Sequence, residues 1–117
     1  TKDDVIGYRE FKGAFAENYV LQSLSTQSTV NLRYWTSNNS AEVDFLLQYD
    51  THILPIEVKS GKSTSSRSLT LYNAEKHPIL RIRYSDKELK LDDNLLNIPL
   101  YMADWTFALL DRVIASL

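Results

Sequence analysis

The sequence predicts an α/β fold in which a mixed sheet is flanked by helices. Helical periodicity near the start and again at the end, short alternating apolar runs between, and a helix-like stretch interrupting those runs all point that way. The elements read α-β-β-β-α-β, then a short strand, then a C-terminal helix.

Residues 8–25 form the first predicted helix. Phe11, Ala14, Phe15, Leu21 and Leu24 fall on one broad arc, and Glu17 lies inside it. The polar stretch STQST at 25–29 ends the helix. Residues 30–36 (VNLRYWT) alternate and carry aromatics, as a strand does, and SNNS at 37–40 is a loop. Residues 42–49 and 52–59 are the arms of a hairpin. SGKSTSS leads into a helix at about 65–76, ended by His77-Pro78. ILRIRY at 79–84 is a strand, and a weaker strand follows near 88–92. Asp92-Asp93-Asn94 reads as a loop, and residues 102–116 as a final, mostly apolar helix.

The totals narrow the function. With 117 residues, 44% hydrophobic and 24% charged, the chain suits one globular domain, 1–117. A membrane span would need roughly 18 consecutive apolar residues, and no such run occurs. No signal-peptide pattern opens the chain and there is no cysteine, which together fit a cytoplasmic protein without disulfides or thiolate metal sites. Thr1 in place of an initiating Met suggests a piece of something larger. A net charge of −2 argues against unaided wrapping of duplex DNA.

The hairpin holds the chemistry. A turn centred on Asp50-Thr51 pairs Tyr49 with His52, Phe45 with Ile56 and Val43 with Val58. One face is then Val43, Phe45, Leu47, Leu54, Ile56 and Val58. The other carries Glu42, Asp44, Gln48, Glu57 and Lys59, and a slip of one residue would exchange the two. In this register Asp44 sits opposite Glu57, with Cβ atoms about 4.5–5.5 Å apart, and Glu42 sits opposite Lys59. Two anions that close repel, and a divalent cation between them would turn repulsion into attraction. The bland alternative is a solvated face with a weak Glu42–Lys59 or Glu42–Arg33 pair. Pro55 is tolerated because its missing N–H faces away from the partner arm.

A helical glutamate, an acid on one strand and acid-x-Lys on the next resemble the PD-(D/E)xK, or restriction-endonuclease-like, superfamily. The pieces are Glu17, Asp44 and Glu57-Val58-Lys59. "KGAFAENYV", "RYWTSNNSAEVDFLL" and "LPIEVKSGK" are similar to the C-terminal domain of unknown function that follows the nucleotide-binding module of bacterial and archaeal AAA-type ATPases. The likeness spans residues 10–115 and is general from Ser63 onward. The superfamily's proline before the first strand acid is Val43 here. "SGKST" at 60–64 resembles the end of a phosphate loop, but the required first glycine would fall at Ile56, so that reading fails.

The resemblance implies a restriction-endonuclease-like core and Mg²⁺- or Mn²⁺-dependent phosphodiester hydrolysis, with DNA as substrate and an N-terminal ATPase module outside this chain. Asp44, Glu57 and the Val58 carbonyl would hold the metal. Lys59 would neutralise developing charge, and Glu17 would hold a second metal or a water. The competing reading is a silent DNA- or protein-binding module that regulates the attached ATPase. A third is self-association through Trp105, Phe107, Leu110 and Ile114 of the last helix, although such helices more often cover their own sheet. His52 and His77 read as structural. Arg81 and Arg83, alternating on one strand face, read as a solvated edge before a phosphate contact. Ser63, Ser65, Ser66 and Arg67 offer either a phosphate site or a helix cap.

Overall fold

The computed structural model describes the backbone of residues 2–27, 32–36, 42–61 and 66–117, with side chains over 12–27, 43–61 and 66–117. The elements are α1 (Lys2–Gln27), β1 (Leu32–Thr36), β2 (Glu42–Tyr49), β3 (His52–Val58), α2 (Arg67–Lys76), β4 (Arg81–Ser85), β5 (Lys90–Asp92), β6 (Leu95–Pro99), a 3₁₀ segment (Leu100–Trp105) and α3 (Thr106–Ala115). The expected α-β-β-β-α-β core and C-terminal helix are present. Among the described residues the strands form one six-stranded sheet, ordered β1-β2-β3-β4-β6-β5. The β3–β4 and β4–β6 joints are parallel and the others antiparallel, so the sheet is mixed.

Three elements differ from the sequence reading. α1 begins at Lys2 rather than at residue 8. Its buried face is Ala16, Val20, Ser23 and Leu24, whereas Phe15 is 65% exposed. Gly13 lies toward the end of β3, where a Cβ would make ordinary contact with Ser60 Oγ at 3.7 Å. β6 has no counterpart among the predicted elements, which leave residues 95–101 unassigned. It is inserted between β4 and β5, with Leu96 and Ile98 in the core. Asp93, at φ +55°, makes the β5–β6 turn, a conformation that Asp tolerates better than most residues. The final helix starts as a 3₁₀ segment, and its α-helical part begins only at Thr106.

α1, the 3₁₀ segment and α3 cover one face of the sheet, over Phe45, Leu47, Leu54, Ile56, Ile82, Tyr84, Leu96 and Ile98. α2 covers the other, where Leu69 and Tyr72 pack on Val43. Polar side chains fix the first layer. Gln27, at the end of α1, donates to the Ala103 carbonyl (2.9 Å) and accepts from the Phe107 N–H (3.1 Å), one of the otherwise unpaired donors at the start of α3. Ser23 donates to Asp104. The buried Tyr84 hydroxyl lies 2.7 Å from Thr106 Oγ1, which itself donates to the Ala103 carbonyl. Within α3, Leu110 is buried and Phe107 and Ile114 pack on the core, so the helix covers its own sheet while Trp105 stays exposed.

Candidate functional site

The β2–β3 hairpin has the predicted register from Tyr49↔His52 to Phe45↔Ile56, joined by the two-residue turn Asp50-Thr51 with Asp50 at φ +54°. Pro55 lies just before the β3–β4 ladder, which begins at Ile56, so its missing N–H costs no bond there.

Beyond Phe45 the predicted pairing ends. β1 pairs with β2 through Arg33↔Leu46 and then Trp35↔Val43, so Asp44 and Phe45 together oppose the single residue Tyr34. This is a β-bulge, one extra residue that twists the strand and re-aims its side chains. Val43 and Phe45 consequently no longer share a face: Phe45 packs with α1, and Val43 with α2. The apolar face predicted to include Val43 and the direct Asp44–Glu57 ladder pair are therefore corrected, and the β2–β3 ladder ends before Glu42 and Lys59. Glu42 pairs by backbone with Thr36 on the β1 side, and its side chain lies outside the described residues, as do Ser63 and Ser65.

The bulge turns Asp44 toward the end of β3. Its Oδ2 accepts the Val58 N–H at 2.7 Å, in the place a ladder partner would fill. In an extended strand the N–H and C=O of one residue point to the same side. The Val58 carbonyl therefore faces the same edge as the Asp44 carboxylate. Glu17, projecting from α1, hydrogen-bonds Asp44, and its pKa is raised by burial first and by the Asp44 charge and hydrogen bond after that. Burial and the neighbouring carboxylate therefore both disfavour charge on Glu17.

Glu57 is 6% exposed. Its Oε1 pairs with Lys59 Nζ at 3.1 Å, whereas Oε2 is buried with no hydrogen-bond partner among the described residues. Burial raises its pKa. The Lys59 ammonium pulls it back down, Asp44 pushes it further up and Arg83 lowers it. Glu17, Asp44, Glu57 and Lys59 thus do gather at one end of the sheet. Just beyond them Gly61, at φ +113°, turns the chain away and donates to Asp86 (3.3 Å).

A buried carboxylate oxygen without a partner is costly and calls for an explanation. A hard divalent cation supplies one. Two carboxylates and a backbone carbonyl at one edge are the oxygen donors Mg²⁺ takes, with waters completing its shell. The donor set fits such an ion. Among the described residues no group of three His, Cys, Asp or Glu converges as a ready metal cage, so the set is two acids plus Val58.

Arg81 and Arg83 contradict the solvated-edge reading. β4 lies in the middle of the sheet; Arg81 is 9% exposed and donates through Nε to Asn94. Arg83 donates through Nε to Asn97 (3.0 Å) and through Nη1 to Ser66 (2.8 Å). Ser66 therefore bonds an arginine rather than capping α2. Asn97 was missed altogether. It is buried, accepts from Arg83 and Ser85, and donates to the carbonyls of Lys87 and Glu88. The signal was present: an Asn inside an apolar run has four bonds to place.

Among the described residues no helix is long and apolar enough to cross a membrane. Residues 12–102 match the model of a family described as a domain of unknown function (DUF4143), and the chain belongs to that family. No curated protein matches the chain at a significant level.

Proposed function

We propose that this DUF4143 domain is a divalent-metal-dependent, nuclease-like module of the PD-(D/E)xK type, hydrolysing phosphodiesters in DNA as part of an AAA-type ATPase. The observation that carries the reading is the buried, unpartnered Glu57 Oε2 beside Asp44 and Lys59. Asp44, Glu57 and the Val58 carbonyl would hold Mg²⁺ or Mn²⁺. When bound, such an ion polarises a phosphate and acidifies a coordinated water.

The chain's own groups do the rest. The Val58 N–H fixes the Asp44 carboxylate from behind, so its orientation is set before any ligand arrives. Lys59 balances Glu57 in the free protein and is partly exposed, so its ammonium can turn to an incoming phosphate oxygen. Glu17 hydrogen-bonds Asp44, and burial and the Asp44 charge make it a weaker acid than an exposed glutamate, so its charge depends on what binds beside it.

A second reading keeps the fold without turnover: a DNA- or protein-binding module that regulates the attached ATPase. It is favoured by the absence of a three-acid cage among the described residues and by Lys59 being held on Glu57. Incubating the protein with single-stranded, branched and duplex DNA in Mn²⁺ separates the two. The nuclease reading expects cleavage by the wild type and none by Lys59→Ala. Metal binding with no cleavage of any substrate would leave the binding module.

A further inference from the structure

A second feature lies on the outer side of α3. Leu110 is buried, and Phe107 and Ile114 pack on the core. The opposite side holds an apolar groove of about 570 Å³, lined by Tyr101, Met102, Trp105, Ala108, Leu109 and Arg112. Tyr101 is 75% exposed and Trp105 56%, and Ala108 and Arg112 are exposed as well. From Trp105 to Arg112 the lining positions follow the spacing of a single helix face. A lone exposed apolar residue is ordinary, but here two aromatics joined by Met102 and Leu109 make a contiguous patch.

The pattern on this face is complementary to itself. At a rise of about 1.5 Å per residue, Trp105 and Arg112 each lie roughly 5 Å from a midpoint between Ala108 and Leu109. Two copies of α3 crossing antiparallel at that midpoint place Trp105 of one against the partner's Arg112. The contact repeats by symmetry, as an isologous interface requires. Arginine over an indole ring is a favourable cation–π pair, and the exposed Asp104 lies beside the same guanidinium. Ala108 at the crossing lets the helix axes approach closely. The area agrees. An aromatic side chain buries about 150–250 Å², so Tyr101 and Trp105 at their exposures offer on the order of 200–300 Å² per copy. Met102, Ala108, Leu109 and the Arg112 stem bring two copies together to about 1,000 Å², the lower bound of a specific interface. A membrane surface fits less well, because the exposed Asp104 and Asp111 border the groove and would face anionic headgroups.

We infer that this face of α3 is a self-association surface: a second copy of the chain packs on it antiparallel, with each Trp105 under the partner's Arg112. An interface of this size makes a weak, concentration-dependent dimer. The inference goes beyond the proposed function and does not depend on it.

The test is sedimentation velocity of the full chain in EDTA over about a hundredfold range of concentration. The wild type should pass from one copy to two as concentration rises. Trp105→Ala should weaken the dimer about tenfold or more, as loss of a central aromatic contact does. Trp105 also stands at the start of α3, so its replacement can disturb folding. Arg112→Glu covers that case. Residue 112 is exposed, and a carboxylate there is repelled by the ring face and by Asp104, so the dimer should be lost with the far-UV spectrum unchanged. A single copy at every concentration, assembly beyond two copies, or a dimer that Arg112→Glu leaves intact overturns the inference. So does cosedimentation of the wild type with phosphatidylglycerol vesicles that Trp105→Ala abolishes, which would assign the face to a membrane surface.

Discussion

Replacing Glu57 by Gln should stabilise the metal-free protein. A functional carboxylate kept in a poor environment costs folding energy that an uncharged isostere recovers. Burial penalises the charged form of Glu57, and the uncharged amide of Gln escapes that charge penalty, worth about 1–3 kcal/mol, while still lacking the second hydrogen-bond partner. Against this stands the Lys59 pair, whose lysine is partly exposed and can return to water, so its loss costs at most about 1 kcal/mol. The net is about 1 kcal/mol of stabilisation near neutral pH, or roughly 4 °C in Tm for a domain of this size. The pH dependence has a definite sign. The pKa of Glu57 is raised on folding, so its contribution is fully present below the ordinary carboxylate range and is lost as pH rises through the raised value. The advantage of Glu57→Gln should therefore vanish in acid, where Glu57 is protonated in both states, and grow toward neutrality. Urea melts of both proteins at several pH values in EDTA measure this. A variant destabilised by about 2 kcal/mol or more at neutral pH would make Glu57 half of a structural ion pair and refute the reasoning.

Other expectations follow from the same contacts. Asp44→Ala should cost about 1–2 kcal/mol in EDTA by stranding the Val58 N–H, whereas Asp44→Asn, which keeps a carbonyl acceptor, should cost less; chemical denaturation compares them. Metal binding to the wild type should tighten as pH rises, because burial and Asp44 raise the pKa of Glu17 beside the site; Glu17→Gln should lessen that pH dependence, measured by calorimetric titration at several pH values. Tyr84→Phe should cost about 1 kcal/mol by removing the buried contact to Thr106, read from the urea midpoint, without altering metal affinity.

Most of the architecture was legible because the hairpin arms and the flanking helices carry clean periods. The β2–β3 register followed from the alternation of Phe45, Leu47, Leu54 and Ile56. The bulge at Asp44 was not legible: it depends on how many residues of β1 oppose β2, and alternation within one strand cannot count residues on its neighbour. That single extra residue moved Val43 to the α2 layer and aimed Asp44 at the Val58 N–H. β6 was hidden because Asn97 and Pro99 look like loop residues, although the Asn97 side chain is satisfied in the interior by the 87–88 carbonyls. The gathering of Glu17 with Asp44 could be expected only from the motif. The α1 face that carries Glu17 is built on Gly13 and Ala16, not on the larger Phe15 that periodicity favours.

Isothermal titration of the full chain with Mn²⁺, wild type beside Asp44→Asn and Glu57→Gln, bears most directly on the site. Saturable binding by the wild type, lost in both folded variants, is the expected result. Heats that are identical in all three proteins, or no binding by the wild type at neutral pH, would contradict it.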